Sequence, residues 1–237
     1  MASFRIENIT KAFGKFTALN QVSTELDEDL ISAIIGPNGA GKTTLVNVCT
    51  GMFPPDSGGL FFDSRNVTKQ PSHKRVQLGI ARTFQIVNIF PELTVRENIR
   101  VPLLYARHKT EVEEAADALL DTYGLARFRD TRAVNISHGD QKLLEMAMAI
   151  AVAPKVLFLD EPTAGVGMEE KEKIIETVQR FKGKNMITAI IEHDMETVFR
   201  IADRIIVMNE GEVIAQGSPE EIKSNAFVRK IYLKEEV

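Results

Sequence analysis

The stretch Gly36 to Thr44 reads GPNGAGKTT and follows the apolar run Leu30 to Ile35. Apolar residues ending at a glycine, then a lysine and two threonines, predict a buried strand, a tight loop and the first turn of a helix. Gly36, Gly39 and Gly41 let the backbone bend, with Pro37, Asn38 and Ala40 completing the loop, so that successive N–H groups point inward. Those groups and the positive end of the helix suit the β- and γ-phosphates of a nucleotide. Lys42 adds a mobile positive charge. Thr43 is placed to ligate Mg²⁺ through its hydroxyl, and Thr44 to bond the α-phosphate, because a hard cation prefers oxygen and is shared with the nucleotide. The competing reading, a glycine-rich turn before an ordinary helix, leaves the full spacing unexplained.

Four further groups have the right chemistry. The run Val156 to Leu159 delivers Asp160 and Glu161 at its C-terminal end, the edge where open α/β sheets bind ligands. Asp160 is expected to hold Mg²⁺ through water, and Glu161 to orient and deprotonate the attacking water; the plainer reading is a strand stopped by a charged turn. Gln85 follows another strand, where its amide could reach Mg²⁺ and the water. Asn135 to Gln141 precedes a helix, so Ser137 and the N–H of Gly139 offer a second anion-binding device. His193 ends a further apolar strand, within reach of a γ-phosphate. Taken singly, a histidine or a glutamine is more often a satisfied polar residue than a catalytic one.

The elements that must position these groups alternate between strand and helix. Phe4 to Ile9 and Val22 to Leu26 read as strands of an opening sheet, with Phe13-Gly14-Lys15-Phe16 between them. Phe13 could stack on adenine or be a core residue at a sheet edge. Leu60 to Asp63 reads as a short strand, and Gly79 to Gln85 as another. From Ile86 to about Val134 the period becomes helical, with Val95, Ile99, Leu103 and Leu104 on one face and Ala115, Ala118, Leu119 and Leu120 on another. Alternation resumes with helices at Gly139 to Val152, Glu169 to Phe181 and Met195 to Ile201. Strands fall at Val156 to Leu159, Ile187 to Ile191, Ile205 to Met208 and Glu212 to Ala215. Pro219 to Leu233 reads as a polar helix.

The chain has 237 residues, 44% of them hydrophobic, enough for a substantial core. A net charge of -4 with mixed signs gives no basic footprint, so nucleic acid is not an expected partner. The single cysteine, Cys49, excludes an internal disulfide framework and fits a reducing compartment. No apolar run approaches the roughly 20 residues that span a bilayer, and MASFRIENIT has no long apolar segment of the secretory kind. A cytoplasmic protein is expected, peripheral on the inner face of the membrane only through other subunits.

In this order the segments resemble a known family. GPNGAGKTT, Gln85, ISHGDQ, LFLDEP and EHD match the Walker A, Q-loop, signature, Walker B and H-loop of ATP-binding cassette (ABC) ATPases over essentially the whole chain. The resemblance implies an α/β fold: a P-loop RecA-like core with an N-terminal antiparallel β subdomain and an inserted helical subdomain. The chain is then a single ABC ATPase domain, 1–237, with the core and β subdomain at 1–85 and 153–237 and the helical insert and signature at 86–152. It also implies ATP hydrolysis with Mg²⁺ on Thr43, Gln85 and Asp160, an adenine against Phe13 with Ala18 beneath the ring, and a D-loop at Ala164 to Gly167. Ser137 and Gly139 would meet the γ-phosphate of a second ATPase chain, identical or a close paralogue, paired head to tail. The departures are His138 and Asp140, where the family has glycine and glutamine; Asp140 beside a triphosphate costs Coulomb energy unless it points away or pairs with a cation.

Within the family, ARTFQ, EPTAGVG, IIEHDM and the ending Ile231-Tyr232-Leu233 resemble the ATPases of importers of branched-chain amino acids and related urea or amide importers. Such a subunit implies integral-membrane permease partners and, indirectly, a periplasmic or extracellular binding protein. Ile86, Val87, Ile89, Phe90 and Leu93 could dock the permease or fill the core of the insert. Lipopolysaccharide-transport ATPases share several of these strings, so an exporter or lipid-extraction ATPase is the alternative, and a soluble non-transport ABC protein a third. No base-reading NKxD motif of a GTPase is present.

Overall fold

The computed structural model describes residues 2–106 and 111–229. Strands β1 (Ser3–Phe13) and β2 (Phe16–Asp27) form a long antiparallel hairpin. Both are longer than expected. Register shifts between Ile6 and Ala12, and positive φ at Asn8 and Gln21, break the alternation that marks a strand in sequence. Strand β3 (Ile31–Ile35) leads into helix α1 (Lys42–Cys49). Next come β4 (Ser57–Phe62), the two-residue β5 (Arg65–Asn66), a short helix α2 (Ser72–Gln77) and β6 (Ile80–Arg82). The strand expected from Gly79 to Gln85 is thus three residues long, its pairing with β7 (Val156–Asp160) ending at Arg82 and Phe158.

Between β6 and β7 lie α3 (Val95–Ala106), α4 (Val112–Thr122) and α5 (His138–Ala151). Helix α3 buries Val95, Ile99 and Leu103 as expected, but Leu104 is 51% exposed. On α4 the buried face is Val112, Ala116 and Leu120, while Ala118 is exposed and Ala115 and Leu119 are only partly buried. Of the four residues expected on this face, Leu120 is buried, whereas Ala115, Ala118 and Leu119 fall beside the stripe, because Val112 anchors it at i, i+4, i+8. The chain closes with α6 (Met168–Gln179), β8 (Ile187–Ile191), α7 (Met195–Ile201), β9 (Arg204–Asn209), β10 (Glu212–Gly217) and α8 (Pro219–Ser224). The expected terminal helix breaks at Asn225, with one more turn at Ala226–Val228. Its end and Ile231 to Leu233 lie outside the described residues.

Two sheets result. One has the order β2-β1-β4-β5 and is antiparallel; the other has the order β10-β9-β3-β8-β7-β6, parallel apart from β10. Strand alternation splits the core. Ile31, Ala33 and Ile35 of β3 face the helices α3 to α6, whereas Ile34 joins Phe4, Leu19 and Leu60 between the sheets. Every residue of β3, β7 and β8 is buried, as parallel strands covered on both faces require.

One support was not foreseen. Arg75 of α2 is 1% exposed, and its guanidinium donates to the carbonyls of Val48, Cys49, Thr68 and Gln70 at 2.6 to 3.0 Å. Two of these are the terminal carbonyls of α1, so the negative end of that helix is capped by a buried cation. Burial also pushes the Cys49 thiol up to about 12, which makes it an inert packing group. Arg75→Met would leave these carbonyls without their donor and should cost roughly 3 kcal/mol or more. At about 2–4 °C per kcal/mol for a domain of this size, melting should fall by roughly 6–12 °C. A thermal melt within about 2 °C of the parent would show that water replaces the guanidinium.

Candidate functional site

Strand register decides what meets at the C-terminal edge of the parallel sheet. Ile34 of β3 and Asp160 of β7 both pair with Ile191 of β8. The three strands therefore end on one line. Just beyond it lie the glycine-rich loop, Glu161 and His193. On the far side, β6 pairs with β7 as far as Arg82 and Phe158, and beyond it the chain carries Gln85 to the Glu161 side chain.

The loop wraps the start of α1. A Cβ on Gly36 would lie 2.1 Å from the Met208 carbonyl oxygen, and one on Gly41, which caps α1 at φ 98, would lie 2.6 Å from that of Ala18. Neither position admits another residue. Ala18 and Ala40 are buried, Gly36 is buried, and Asn38 and Gly39 form an exposed lip with Pro37 half-buried. Lys42 is 6% exposed, and its ammonium donates to the carbonyls of Gly36 at 2.8 Å and Pro37 at 3.0 Å. Burial holds its pKa below the usual lysine value, with Glu161 and Asp160 opposing that shift. Thr43 is exposed and Thr44 half-buried at the mouth.

Asp160 is 1% exposed, and one oxygen accepts from Arg82 Nη2 at 3.1 Å. Its other oxygen, Oδ1, is buried without a hydrogen-bond partner. Burial raises the carboxyl's pKa more than Arg82 lowers it. A buried carboxylate oxygen left over in this way fits a hard divalent cation. Among the described residues no cluster of three or more His, Cys, Asp or Glu could cage a metal alone, so phosphate oxygens would have to complete the shell.

Glu161 carries positive φ (49°), a strained conformation for a residue with a Cβ. It is held there by its N–H donating to the Ile191 carbonyl at 3.0 Å and by Lys142 Nζ donating to its carbonyl at 2.8 Å. Its side chain meets both other candidates: Oε1 lies 2.6 Å from His193 Nε2, and Oε2 accepts from Gln85 Nε2 at 3.2 Å. Phe13 sits at the hairpin tip, 45% exposed and edge-on to Phe53 at 5.5 Å. That removes the core reading of Phe13, whose ring also has the Lys11 ammonium 5.6 Å from its centroid.

Ser137 and Gly139 lie apart from this cluster, at the start of α5. Ser137 caps the helix, accepting from Asp140 N at 3.2 Å and donating to Asp140 Oδ2 at 2.9 Å, with Arg127 Nη2 3.8 Å from that oxygen. Asp140 thus folds back into the cap beside a cation, which answers its Coulomb cost. Of the apolar residues after Gln85, Ile86 and Phe90 are 85% and 46% exposed, while Val87, Ile89 and Leu93 are half-buried.

Three buried charges escaped sequence reading: Lys142, Glu145 and Glu192. Glu192 accepts both N–H and hydroxyl of Thr163 at 3.0 and 2.7 Å, bracing the turn after Glu161. Glu145 is 6% exposed and accepts the N–H groups of Phe84 and Asn88, each at 3.1 Å. In a helical window Lys142 and Glu145 look like a solvated face; their only signal is that they share α5 with a continuous apolar run, while Glu192 follows the apolar strand β8.

Residues 19–164 match the ABC transporter family, and the chain belongs to it. It is 37% identical over 247 residues to the high-affinity branched-chain amino acid transport ATP-binding protein LivG of Salmonella typhimurium, covering 97% of each. Among solved structures it is similar to the ADP conformation of MJ1267, an ATP-binding cassette of an ABC transporter, with TM-score 0.89, 35% identity and coverage of 99% and 100%. The dimeric post-hydrolysis cassette MJ0796 bound to ADP and Pi gives TM-score 0.81 at 26% identity, over 91% of this chain and 98% of that one.

Burial pushes the Glu145 carboxyl from 4.5 up to about 7. Between those values the folded chain holds a proton that the unfolded chain releases. The residue's contribution to stability is therefore full below about 4.5 and lost as pH rises through about 7. Glu145→Gln removes that dependence. Relative to the parent, the variant should gain stability from pH 5 to pH 8, at up to about 1.4 kcal/mol per unit within the window. Urea unfolding at the two pH values checks this, and parallel curves would contradict it.

Proposed function

We propose that the chain is the ATP-hydrolysing, energy-coupling subunit of an ABC importer, with branched-chain amino acids or related small amides as cargo. The observation that carries the hydrolytic reading is the meeting of Lys42, Asp160, Glu161, His193 and Gln85 at one sheet edge. The cargo reading is supported by the LivG name of a relative that spans the whole chain. Among the described residues no helix is long and apolar enough to cross a membrane, so permease subunits would supply the membrane passage and hold the chain at its cytoplasmic face.

In this reading the loop's N–H groups and the N-terminus of α1 bind the β- and γ-phosphates, and Lys42 swings from the carbonyls of Gly36 and Pro37 onto them. Phe13 stacks on adenine above the buried Ala18. Thr43, Asp160 through its unpartnered oxygen, and Gln85 would hold Mg²⁺, which supplies charge neutralisation at the phosphates. Glu161 takes the proton of a water that attacks the γ-phosphorus as the bond to the β-phosphate oxygen breaks. His193 and Gln85, each bonded to one oxygen of Glu161, keep that carboxylate aimed. Ser137 and Gly139 of a second chain close over the γ-phosphate, so loss of that group releases the pair. The dimeric MJ0796 cassette is the structural parallel for such a pair. We divide the chain accordingly, with the helical insert at 86–152 carrying the motion to the permease.

Lys42→Ala removes a charge-assisted contact of roughly 1.5–3 kcal/mol, so ATP should bind tenfold or more weakly. An unchanged affinity in equilibrium titration would refute the phosphate loop. Glu161→Gln should lose about a hundred- to ten-thousand-fold in turnover while still binding ATP. It should also accumulate as an ATP-dependent dimer in gel filtration, and a strictly monomeric variant would refute the paired site.

A further inference from the structure

Glu145 is a buried acid with no part in the roles above, and it lies where two of them meet. One oxygen, Oε1, accepts the N–H of Phe84 and that of Asn88. Only Gln85, Ile86 and Val87 lie between. At one side of this arc Gln85 reaches Glu161, and at its crest Ile86 is 85% exposed. We propose that Glu145 is the positioning residue for Gln85, clamping both ends of the arc that carries this amide to Glu161 and tying it to the helix that begins at Ser137.

Three observations support the clamp. The arc has no strand partner, since β6 ends at Arg82, so its shape depends on side-chain acceptors. Glu145 has cations on both sides, Lys142 one turn earlier on α5 and Arg82 on β6. These same cations reach Glu161 and Asp160, Lys142 through the Glu161 carbonyl and Arg82 through the Asp160 carboxylate. The clamp is therefore continuous with Asp160 and with Glu161, the residue whose carboxylate Gln85 meets. Finally, Ser137 and Glu145 are eight residues apart on one unbroken helix, roughly 12 Å. A displacement of α5 at its N-terminus would move the clamp with it.

The inference rests on the reading of Gln85 as part of the hydrolytic site, so the test separates the two. The full-length chain is compared with Glu145→Ala, Glu145→Gln, Gln85→Ala and the Glu145→Ala/Gln85→Ala double variant. Steady-state ATP turnover, ATP affinity and amide exchange at Phe84 and Asn88 are measured for each. Glu145→Ala should lower kcat roughly tenfold or more with ATP affinity within about twofold, and the double variant should be no slower than Gln85→Ala. Glu145→Gln keeps an acceptor oxygen and should restore kcat to within about threefold. Both amides should exchange at least about tenfold faster in Glu145→Ala and not in Glu145→Gln. Should Glu145→Ala fail to fold, Glu145→Met keeps the volume, removes the acceptor and takes its place. Parent-like turnover in Glu145→Ala, or in Glu145→Met where that takes its place, or losses that multiply in the double variant, would overturn the clamp while leaving the hydrolytic site intact. A parent chain with no ATP turnover would overturn the hydrolytic reading and the clamp together.

Discussion

The site depends on a carboxylate held where water cannot reach it. Asp160 ends a strand buried on both faces, and desolvating its charge is costly unless cations or hydrogen bonds replace the lost water. Arg82 satisfies one oxygen and leaves the other without a partner. Lys42 and Lys142 add two buried cations within electrostatic reach of Asp160. In this account the remaining oxygen and the lysine are completed by a cation and a polyphosphate, so the chain stores an electrostatic incompleteness that its ligand removes.

Parallel strand register turns that electrostatic demand into geometry. Because Ile34, Ile191 and Asp160 share one line, the residues just beyond them converge without any long-range adjustment. Among the residues that converge here, Glu161 carries a strained left-handed backbone, pinned by β8 and by Lys142. Three further parts are attached around this edge: the arc at Gln85, the aromatic tip at Phe13, and the start of α5. The variant signature is engaged within the chain: Ser137 and Asp140 bond each other in the helix cap, and Glu170 of α6 lies against Ser137 and Gly139. Closure of a second nucleotide onto Ser137 must exchange that internal partner for a phosphate oxygen.

Much of this was legible in the sequence because glycine spacing and buried strands are local signals. The loop from Gly36 to Thr44, the acids after Val156 to Leu159, and the helix at Met195 to Ile201 stand where periodicity and spacing put them. The proximity of Gln85 and His193 to Glu161 could not be derived locally, since it arises from the register of β6, β7 and β8. Arg75, Lys142, Glu145 and Glu192 were missed for a different reason. Charged residues read as surface, and only tertiary packing reveals that they are satisfied by carbonyls, backbone N–H groups and one another. The bulged hairpin of β1 and β2 was underestimated because its irregular register hides the two-residue period.

The central claim is that each catalytic centre is shared, with Lys42 from one chain and Ser137 from another. Mixing purified Lys42→Ala and Ser137→Ala chains tests it most directly. A mixed pair regenerates one centre with both groups present, so ATP turnover should rise well above the sum of the two variants measured apart. Turnover that stays at that sum, from chains shown to be folded and able to exchange partners, would contradict the account.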